Sequence, residues 1–305
     1  MIRHIKHSEF NRSKWDECIS ASPHGLIYAA SWYLDIVSPN WEALIEDDYS
    51  FVFPLTRRKK WGFDYLFQPY FTQQLGVFGR TEAASESRIN DFIKNIPDNF
   101  KLVEIQLNES NKAELPKGIS KTVRLTHHLD LSDSYEKIKA NYSENTRRNI
   151  QKAIKNSLEI TRESSFQEII NLFRQNKGNE VKNLNAKDYL VLEKLMTSAK
   201  ERGLLEIKSV LNSSGILLAG AIFLRSYHSF IFLFSAANAE AKETGAMSAI
   251  IDSFICDHSG ENKYLDFEGS MDPNLARFYK SFGSKEVVYL QIRRNTLPPI
   301  LRRLK

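Results

Sequence analysis

The sequence predicts an α/β protein with mixed sheets, arranged as two tandem domains of one element order joined by a helical linker. Three observations carry that expectation. From residue 158 onward the hydrophobic periodicities follow the order β-α-α-β-β-β-α-β-α-β. A weaker version of the same series runs through the first 130 residues, as a duplication of fold without an obvious sequence repeat. The chain's 305 residues also suit two domains better than one, and with 42% hydrophobic and 26% charged residues it can bury real cores and is not disordered.

In the C-terminal half, Leu158–Thr161 reads as a short strand, and Ser165 and Glu168 have the S-x-x-E spacing of a capping box that opens a helix. Phe166, Ile169, Ile170 and Phe173 recur at helical spacing, as do Leu192, Leu195, Met196 and Ala199 before Gly203. Three strands follow at 204–211, 215–225 and 228–235, the last two apolar at nearly every position, as central strands covered on both faces should be. A helix over 245–257, a strand over 264–267, a helix opened by Asp272 with Pro273 at its first position, and a strand over 286–292 complete the half. In the N-terminal half the same reasoning gives strands at 2–5, 42–45, 50–56, 63–71, 102–107 and 122–129, with helices around 15–19, 31–36 and 86–95. The counterpart of the Asp272 helix is missing there, replaced by a loop over 108–120. The expected domains are therefore 1–130 and 158–305, with one or two linker helices over 131–157.

The composition excludes several classes. The longest apolar run, Ile216–Leu224, falls well short of the ~20 residues that span a bilayer. Met1–Lys6 has no signal-peptide core, so no transmembrane segment and a cytoplasmic location are expected. Cys18 and Cys256 stand alone, which argues against a disulfide framework and a Cys-based zinc site, and the seven histidines form no metal pair. No metal is expected. Forty-two basic less thirty-seven acidic residues leave +5, all of it carried by Arg293, Arg294, Arg302, Arg303 and Lys305 in the last fifteen positions. Such a tail fits contact with phosphates or a peripheral membrane surface, and fits a solvated terminal helix equally well.

Three polar clusters stand out. Arg147, Arg148, Lys152 and Lys155 line one stretch of the linker, where they could grip phosphates of a nucleotide- or lipid-linked acceptor or of tRNA, or serve as the polar face opposite Ile150, Ala153 and Ile154. Arg57–Lys60 reads as an exposed hairpin loop. Gln68–Gly76 packs amides and aromatics densely enough for a ligand pocket, with Gln73 and Gln74 as substrate-binding candidates, though an inter-domain contact would use the same residues.

The C-terminal element order, with Tyr279-Lys280-Ser281-Phe282-Gly283 ending its last helix, resembles the GNAT acyltransferase fold. The whole chain is similar to the Fem-type peptidoglycan-bridge aminoacyltransferases and related bacterial acetyltransferase-like proteins, which carry two GNAT-like domains in tandem. Two strings carry this resemblance, Tyr142–Ala153 in the linker and Asp266–Ser270 followed by Ala276–Gly283. The resemblance implies an acyl- or aminoacyltransferase forming an amide on an amine acceptor, a small molecule or a cell-envelope precursor linked to a nucleotide or lipid. The donor would be acyl-CoA or aminoacyl-tRNA. It further implies reacting groups that meet where the fourth and fifth strands splay, near Ser235 and Asp266, in a pocket lined by Phe232, Phe234, Asp266 and Glu268.

Tyr279 lies four residues before Gly283, the place of the Tyr that protonates the leaving group in many GNAT enzymes. Asp266 and Glu268 are candidate bases for the attacking amine, although Asp-x-Glu before Gly-Ser is also good turn chemistry. The coenzyme A pyrophosphate would rest on the loop 241–247, where Lys242, Gly245 and Ala246 keep part of the family pattern and Met247 replaces a second small residue. The alternative is a catalytically inactive GNAT-fold module that binds an anionic ligand or a lipid surface.

Overall fold

A computed structural model of the chain describes residues 1–60, 62–179, 184–269 and 271–299. The chain divides into two compact units, Met1–Leu125 with the terminal segment from Val287, and Thr126–Glu286. In the first half the elements are β1 (Ile2–Ile5), α1 (Arg12–Ala21), α2 (Ser31–Val37), β2 (Glu42–Glu46), β3 (Phe51–Leu55), β4 (Arg57–Lys60), β5 (Phe63–Leu66), β6 (Phe78–Gly79), α3 (Glu86–Lys94), β7 (Phe100–Gln106) and β8 (Ser120–Asp130). The second half adds α4 (Tyr135–Ala140), α5 (Glu144–Lys155), β9 (Glu159–Thr161), α6 (Phe166–Gln175), α7 (Ala186–Glu201), β10 (Leu205–Leu211), β11 (Leu217–Arg225), β12 (Ser229–Ala237), α8 (Ala239–Thr244), α9 (Ala246–His258), β13 (Tyr264–Asp266), α10 (Pro273–Lys280) and β14 (Lys285–Asn295).

In the first unit β1, β2, β3 and β6 form an antiparallel sheet. The chain then continues from β3 into β4, which pairs with β5, and β5 runs parallel to β7. The aromatic residues form a sealed core: Trp41 lies 4.6 Å from Trp15 and 4.4 Å from Phe10, ring centre to ring centre. The polar edges of both indoles are satisfied, Trp15 Nε1 donating to the Ala29 carbonyl at 2.8 Å and Trp41 Nε1 to Asp35 at 3.0 Å, so they are buried without an unpaired donor.

In the second unit β9 to β12 form an antiparallel series, β12 runs parallel to β13, and β13 pairs antiparallel with residues 128–130 of β8. Leu218–Leu224 of β11 is buried without a break, as its continuous apolar run predicts. Phe223 of β11 stacks on Phe254 of α9 at 3.8 Å, while Phe234 of β12 packs against Phe173 of α6 at 4.8 Å. Both expected caps are present: Ser165 and Glu168 form a reciprocal capping box, and Asp272 accepts from Asn274 and Leu275 ahead of Pro273 in the first turn.

Three expectations need correction. The domains do not end at 130 and restart at 158, because each unit is completed by the other half's last strand. Residues 291–295 of β14, expected to close the C-terminal domain, pair with β7 in the first unit, and the end of β8 pairs with β13 in the second. The expected linker is likewise part of the second unit, where Ile138, Tyr142 and Ile150 enter the core. Arg57–Lys60 is a strand and not a hairpin loop. Of the basic tail, Arg293 and Arg294 belong to β14, and Arg294 donates to the Ile96 and Pro97 carbonyls; Arg302, Arg303 and Lys305 lie outside the described residues.

Candidate active site

The site arises where β12 leaves β13. Pairing runs from Ser229 opposite Tyr264 to Ile231 opposite Asp266 and then stops, while β12 continues to Ala237. A bulge accompanies the parting: Phe232 faces Phe223 and Phe234 faces Ile222, leaving Leu233 as the extra residue. The bulge breaks the alternation, so Phe232 packs on Phe223, Phe267 and Tyr279 while Phe234 turns to α6. A cleft of about 660 Å³ opens there, walled by β12 with α6, α8, α9 and α10, and touched by α5 through Asn149. Phe232 lines it as expected; Phe234, Asp266 and Glu268 are not among its lining residues.

Tyr279 lines the cleft near the C-terminal end of α10. Its ring stacks on Phe267 at 4.8 Å and 17°, which fixes the phenol in place. Burial, and then the charges of Glu268, Asp266 and Asp272, push its pKa above the usual tyrosine value, so the hydroxyl keeps its proton through the neutral range. His127 packs on the same ring at 6.0 Å, fully buried, and neither of its ring nitrogens has a hydrogen-bond partner among the described residues. Burial lowers its pKa and keeps it neutral. The sequence offered no sign of this contact, because β8 and α10 lie about 150 residues apart in a chain whose pairing is non-local.

The two carboxylates differ. Asp266 is 3% exposed and holds a turn: Oδ1 accepts from the Thr126 hydroxyl and, at 2.9 Å, from the Glu268 backbone N–H, and Oδ2 lies 3.4 Å from His128 Nε2. The Gly269 N–H completes the turn by donating to Thr126 Oγ1 at 2.9 Å. The strand ends at Asp266, and Glu268 is half-buried with φ +50°, a left-handed conformation that costs a non-glycine residue of order 1–3 kcal/mol. The expected strand alternation therefore does not extend to Glu268. Ser270, the end of that motif, lies outside the described residues.

The expected pyrophosphate loop is folded differently. Residues 239–244 form α8, Gly245 turns the chain at φ +76°, and α9 starts at Ala246, which is fully buried. A Cβ at Gly245 would lie 2.1 Å from the Asn149 carbonyl oxygen, so the backbone of α5 sits directly on this turn. Lys242 is exposed and lines the cleft, as does Gly245. Helix α5 is anchored by Thr146, whose hydroxyl meets Ser281 Oγ at 2.6 Å, and by the Ser143 N–H, which donates to the Ser281 carbonyl at 2.8 Å. Ile150 and Ala153 are buried, and Arg147, Arg148 and Lys152 are exposed, with Arg147 donating to the Ala140 carbonyl at 2.7 Å.

Gln73 and Gln74 belong to the first unit. Gln74 is 2% exposed and donates to Gln73 Oε1 at 2.9 Å, while its own Oε1 has no partner among the described residues. Among the described residues, no group of His, Cys, Asp or Glu is placed to hold a metal ion, and no helix is long and apolar enough to cross a membrane.

A mixed sheet that parts beside a parallel strand pair gives the chain a GNAT-like fold of the Fem type. Among solved structures, the chain is similar to FemX, at 12% identity and a TM-score of 0.65, over 98% of this chain and 99% of that one. It is also similar to a conserved protein of unknown function from Bacteroides thetaiotaomicron (10% identity, TM-score 0.61, 93% and 97% covered) and to the C-terminal domain of a putative lysylphosphatidylglycerol synthetase from Agrobacterium fabrum (9%, 0.54, 94% and 93%). No protein family and no curated protein matches the sequence. These likenesses define the fold.

Proposed function

We propose that the protein is an N-acyl- or aminoacyltransferase whose chemistry takes place in the cleft of the second unit. The observation that carries this reading is the ring-stacked phenol of Tyr279 lining the cleft where β12 departs from β13. The amine nitrogen attacks the carbonyl carbon of an activated ester or thioester. A C–N bond forms, the C–O or C–S bond breaks, and the leaving oxygen or sulfur takes the Tyr279 proton. The surplus proton of the amine passes through water to Glu268, which stands outside the cleft lining, and from there back to the phenolate. Asp266 is a positioning residue, holding the turn that carries Glu268. Arg147, Arg148 and Lys152 form the basic face of α5 and would bind phosphates of the acceptor. The Asn149 carbonyl lies against Gly245, but Met247 and Ser248 at the start of α9 line the cleft, and Lys242 beside them would add positive charge for donor phosphates. One structural neighbour is named as a putative lysylphosphatidylglycerol synthetase, which agrees with acyl transfer on this fold.

The test is transfer from labelled acyl-CoA and aminoacyl-tRNA to a panel of amines, including nucleotide-linked and lipid-linked envelope precursors, by wild type and Tyr279→Phe. Loss of a general acid costs ~10²- to 10⁴-fold in rate, and the retained ring should leave the melting temperature unchanged. A variant as fast as the wild type would remove Tyr279 from the mechanism. Binding without turnover across the whole panel would favour the inactive binding module.

A further inference from the structure

Against the Tyr279 ring, and not among the residues that line the cleft, lies an imidazole that the transfer chemistry above leaves unused. His127 is 0% exposed, and neither Nδ1 nor Nε2 has a hydrogen-bond partner among the described residues. Its place follows from strand alternation in β8. Thr126 and His128 turn to Asp266, so the residue between them points to the opposite face, where its ring lies 6.0 Å from that of Tyr279. A neutral imidazole carries one N–H donor and one lone pair, and leaving both unmade in the core costs stability that a leucine there would not. Natural proteins keep such costs at functional sites. The titratable groups around it, Asp266 of β13, Lys280 of α10, Glu286 of β14 and His128 beside it, oppose one another, and burial holds the ring neutral.

The surroundings of Tyr279 are otherwise hostile to a phenolate. Among the described residues, the other rings packed on it are Phe232, Phe267 and Phe278, and the charges that bear on it, from Glu268, Asp266 and Asp272, are negative. We propose that His127 is a positioning residue for the transfer step, its imidazole dipole backing the Tyr279 phenol so that the negative charge left by proton transfer is stabilised. The proposal rests on the transferase reading above and adds a residue to it. His127 itself neither gains nor loses a proton. The Tyr279 proton goes to the leaving oxygen or sulfur as the C–O or C–S bond breaks, and the phenolate is reprotonated from Glu268 through water. Because the strand fixes the imidazole before the charge appears, no reorganisation is needed at the moment of reaction, and a dipole acts strongly in so apolar a setting.

The experiment reads the acidity of the phenol directly and needs no substrate. With 3,5-difluorotyrosine in place of Tyr279 in the full chain, fluorine NMR follows the ionisation of that one ring. His127→Leu, or His127→Phe should leucine leave the core underpacked, should lower the acid constant about tenfold, less than the ~10²-fold or more lost with a donor in direct contact. His127→Gln, which retains an amide dipole, should recover most of it. The melting temperature of His127→Leu should rise, because two unmade hydrogen bonds leave the core. In the transfer assay with the natural tyrosine, kcat should fall about tenfold with KM unchanged, and the loss should vanish in a Tyr279→Phe background, where no phenolate forms. An acid constant in the apolar variants within about twofold of wild type overturns the proposal, whatever the assay shows. If the constant shifts but kcat does not, or the loss persists in the Tyr279→Phe background, His127 has no part in the transfer and the transferase reading stands. If the constant shifts and the wild type turns over no pair of donor and acceptor, the transferase reading fails and takes the proposal with it.

Discussion

Each of the two units contains a parallel strand pair that parts, and the two partings are filled differently. In each, a strand runs briefly parallel to a later one and then departs: β5 from β7 in the first unit, β12 from β13 in the second. In the first unit the gap is filled from within. The Gln68 side chain accepts from the Gln106 backbone N–H at 2.9 Å and donates to the Thr72 carbonyl at 2.7 Å, and Leu75 then rejoins β7 beside Leu107. Tyr33 ties the same segment down through the Phe71 carbonyl. In the second unit α10, which has no helical counterpart among residues 108–119, brings Tyr279 to the gap. The first gap is thus filled by the unit's own chain, whereas the second opens on the cleft that Tyr279 lines.

The largest expected effect concerns how each unit is completed. Residues 1–130 expressed alone lack β14, which leaves β7 with an unpaired edge, and such edges aggregate. That fragment should be insoluble or unfolded by circular dichroism, and adding residues 285–299 as a separate peptide should restore cooperative unfolding. A soluble, cooperatively folding 1–130 fragment would show that the sealed unit does not need the exchanged strand.

Point changes should divide the openings in turn. Gly245→Ala forces a side chain into a left-handed residue and against the α5 backbone, at about 2–5 kcal/mol in all. Gln68→Ala breaks the two hydrogen bonds that fill the first gap and should cost about 1–3 kcal/mol. All four tryptophans precede residue 126 in the sequence, and Trp15, Trp32 and Trp41 lie in the first unit, so tryptophan emission during urea unfolding reports on that unit. Gln68→Ala should lower the midpoint seen by tryptophan emission and leave ligand binding in the cleft intact. Gly245→Ala should disturb the cleft. The reverse pattern would mean that the filled gap is the functional one.

How much of this was legible beforehand follows from the range of the interactions. Helices with local signals were legible, since the Ser165–Glu168 box and the Asp272–Pro273 start depend on neighbours within one turn. The central strands were legible from continuous apolar runs. Arg57–Lys60 was misleading because β4 is an edge strand, paired among the described residues with β5, and lysines are what such edges carry to resist association. Strand exchange, the Leu233 bulge and the seat of α5 on Gly245 all depend on partners tens to more than a hundred residues away, which no local pattern encodes. Tyr279 was legible as a candidate through its distance from Gly283. The carboxylates were not distinguishable, because only the fold shows that Thr126 and His128 engage Asp266.

The units should also differ in pH response. In the first, burial works to raise the pKa of Asp35, but hydrogen bonds from Arg12, His7 and Trp41 outweigh it and hold the carboxyl below its ordinary range. The stability Asp35 contributes is present above the unfolded value of about 3.9 and is lost as pH falls through the lower folded one. In the second, burial works against the charge of His258, but hydrogen bonds to Glu206 and Glu261, both at 2.7 Å, outweigh it and raise the pKa above 6.5. That contribution is full below about 6.5 and fades as pH rises through the folded value. Urea midpoints from pH 3 to 9 should show Asp35→Asn flattening the acid limb of tryptophan emission, and His258→Gln flattening the decline above neutrality in circular dichroism.

The smallest effect is chemical and uses the two cysteines, one in each unit. Cys18 is fully buried between α1 and the end of β6, its thiol 3.8 Å from the Phe78 carbonyl, and burial pushes its pKa up to about 12. Cys256 is exposed on α9, with its pKa raised by partial burial and by the charges of Asp257 and Asp252. Because the thiolate is the reactive form, iodoacetamide at pH 8 should modify Cys256 alone, more slowly than a free cysteine peptide, and reach one equivalent. Cys18 should react only in urea, in step with the change in tryptophan emission, since both sit in the sealed unit. Modification of Cys18 under native conditions, read by mass spectrometry of the peptide 12–21, would show that the first unit opens locally at low cost. The contrast would then no longer be between a sealed unit and an open one, and the gap filled by Gln68 would have to be counted as a second accessible site.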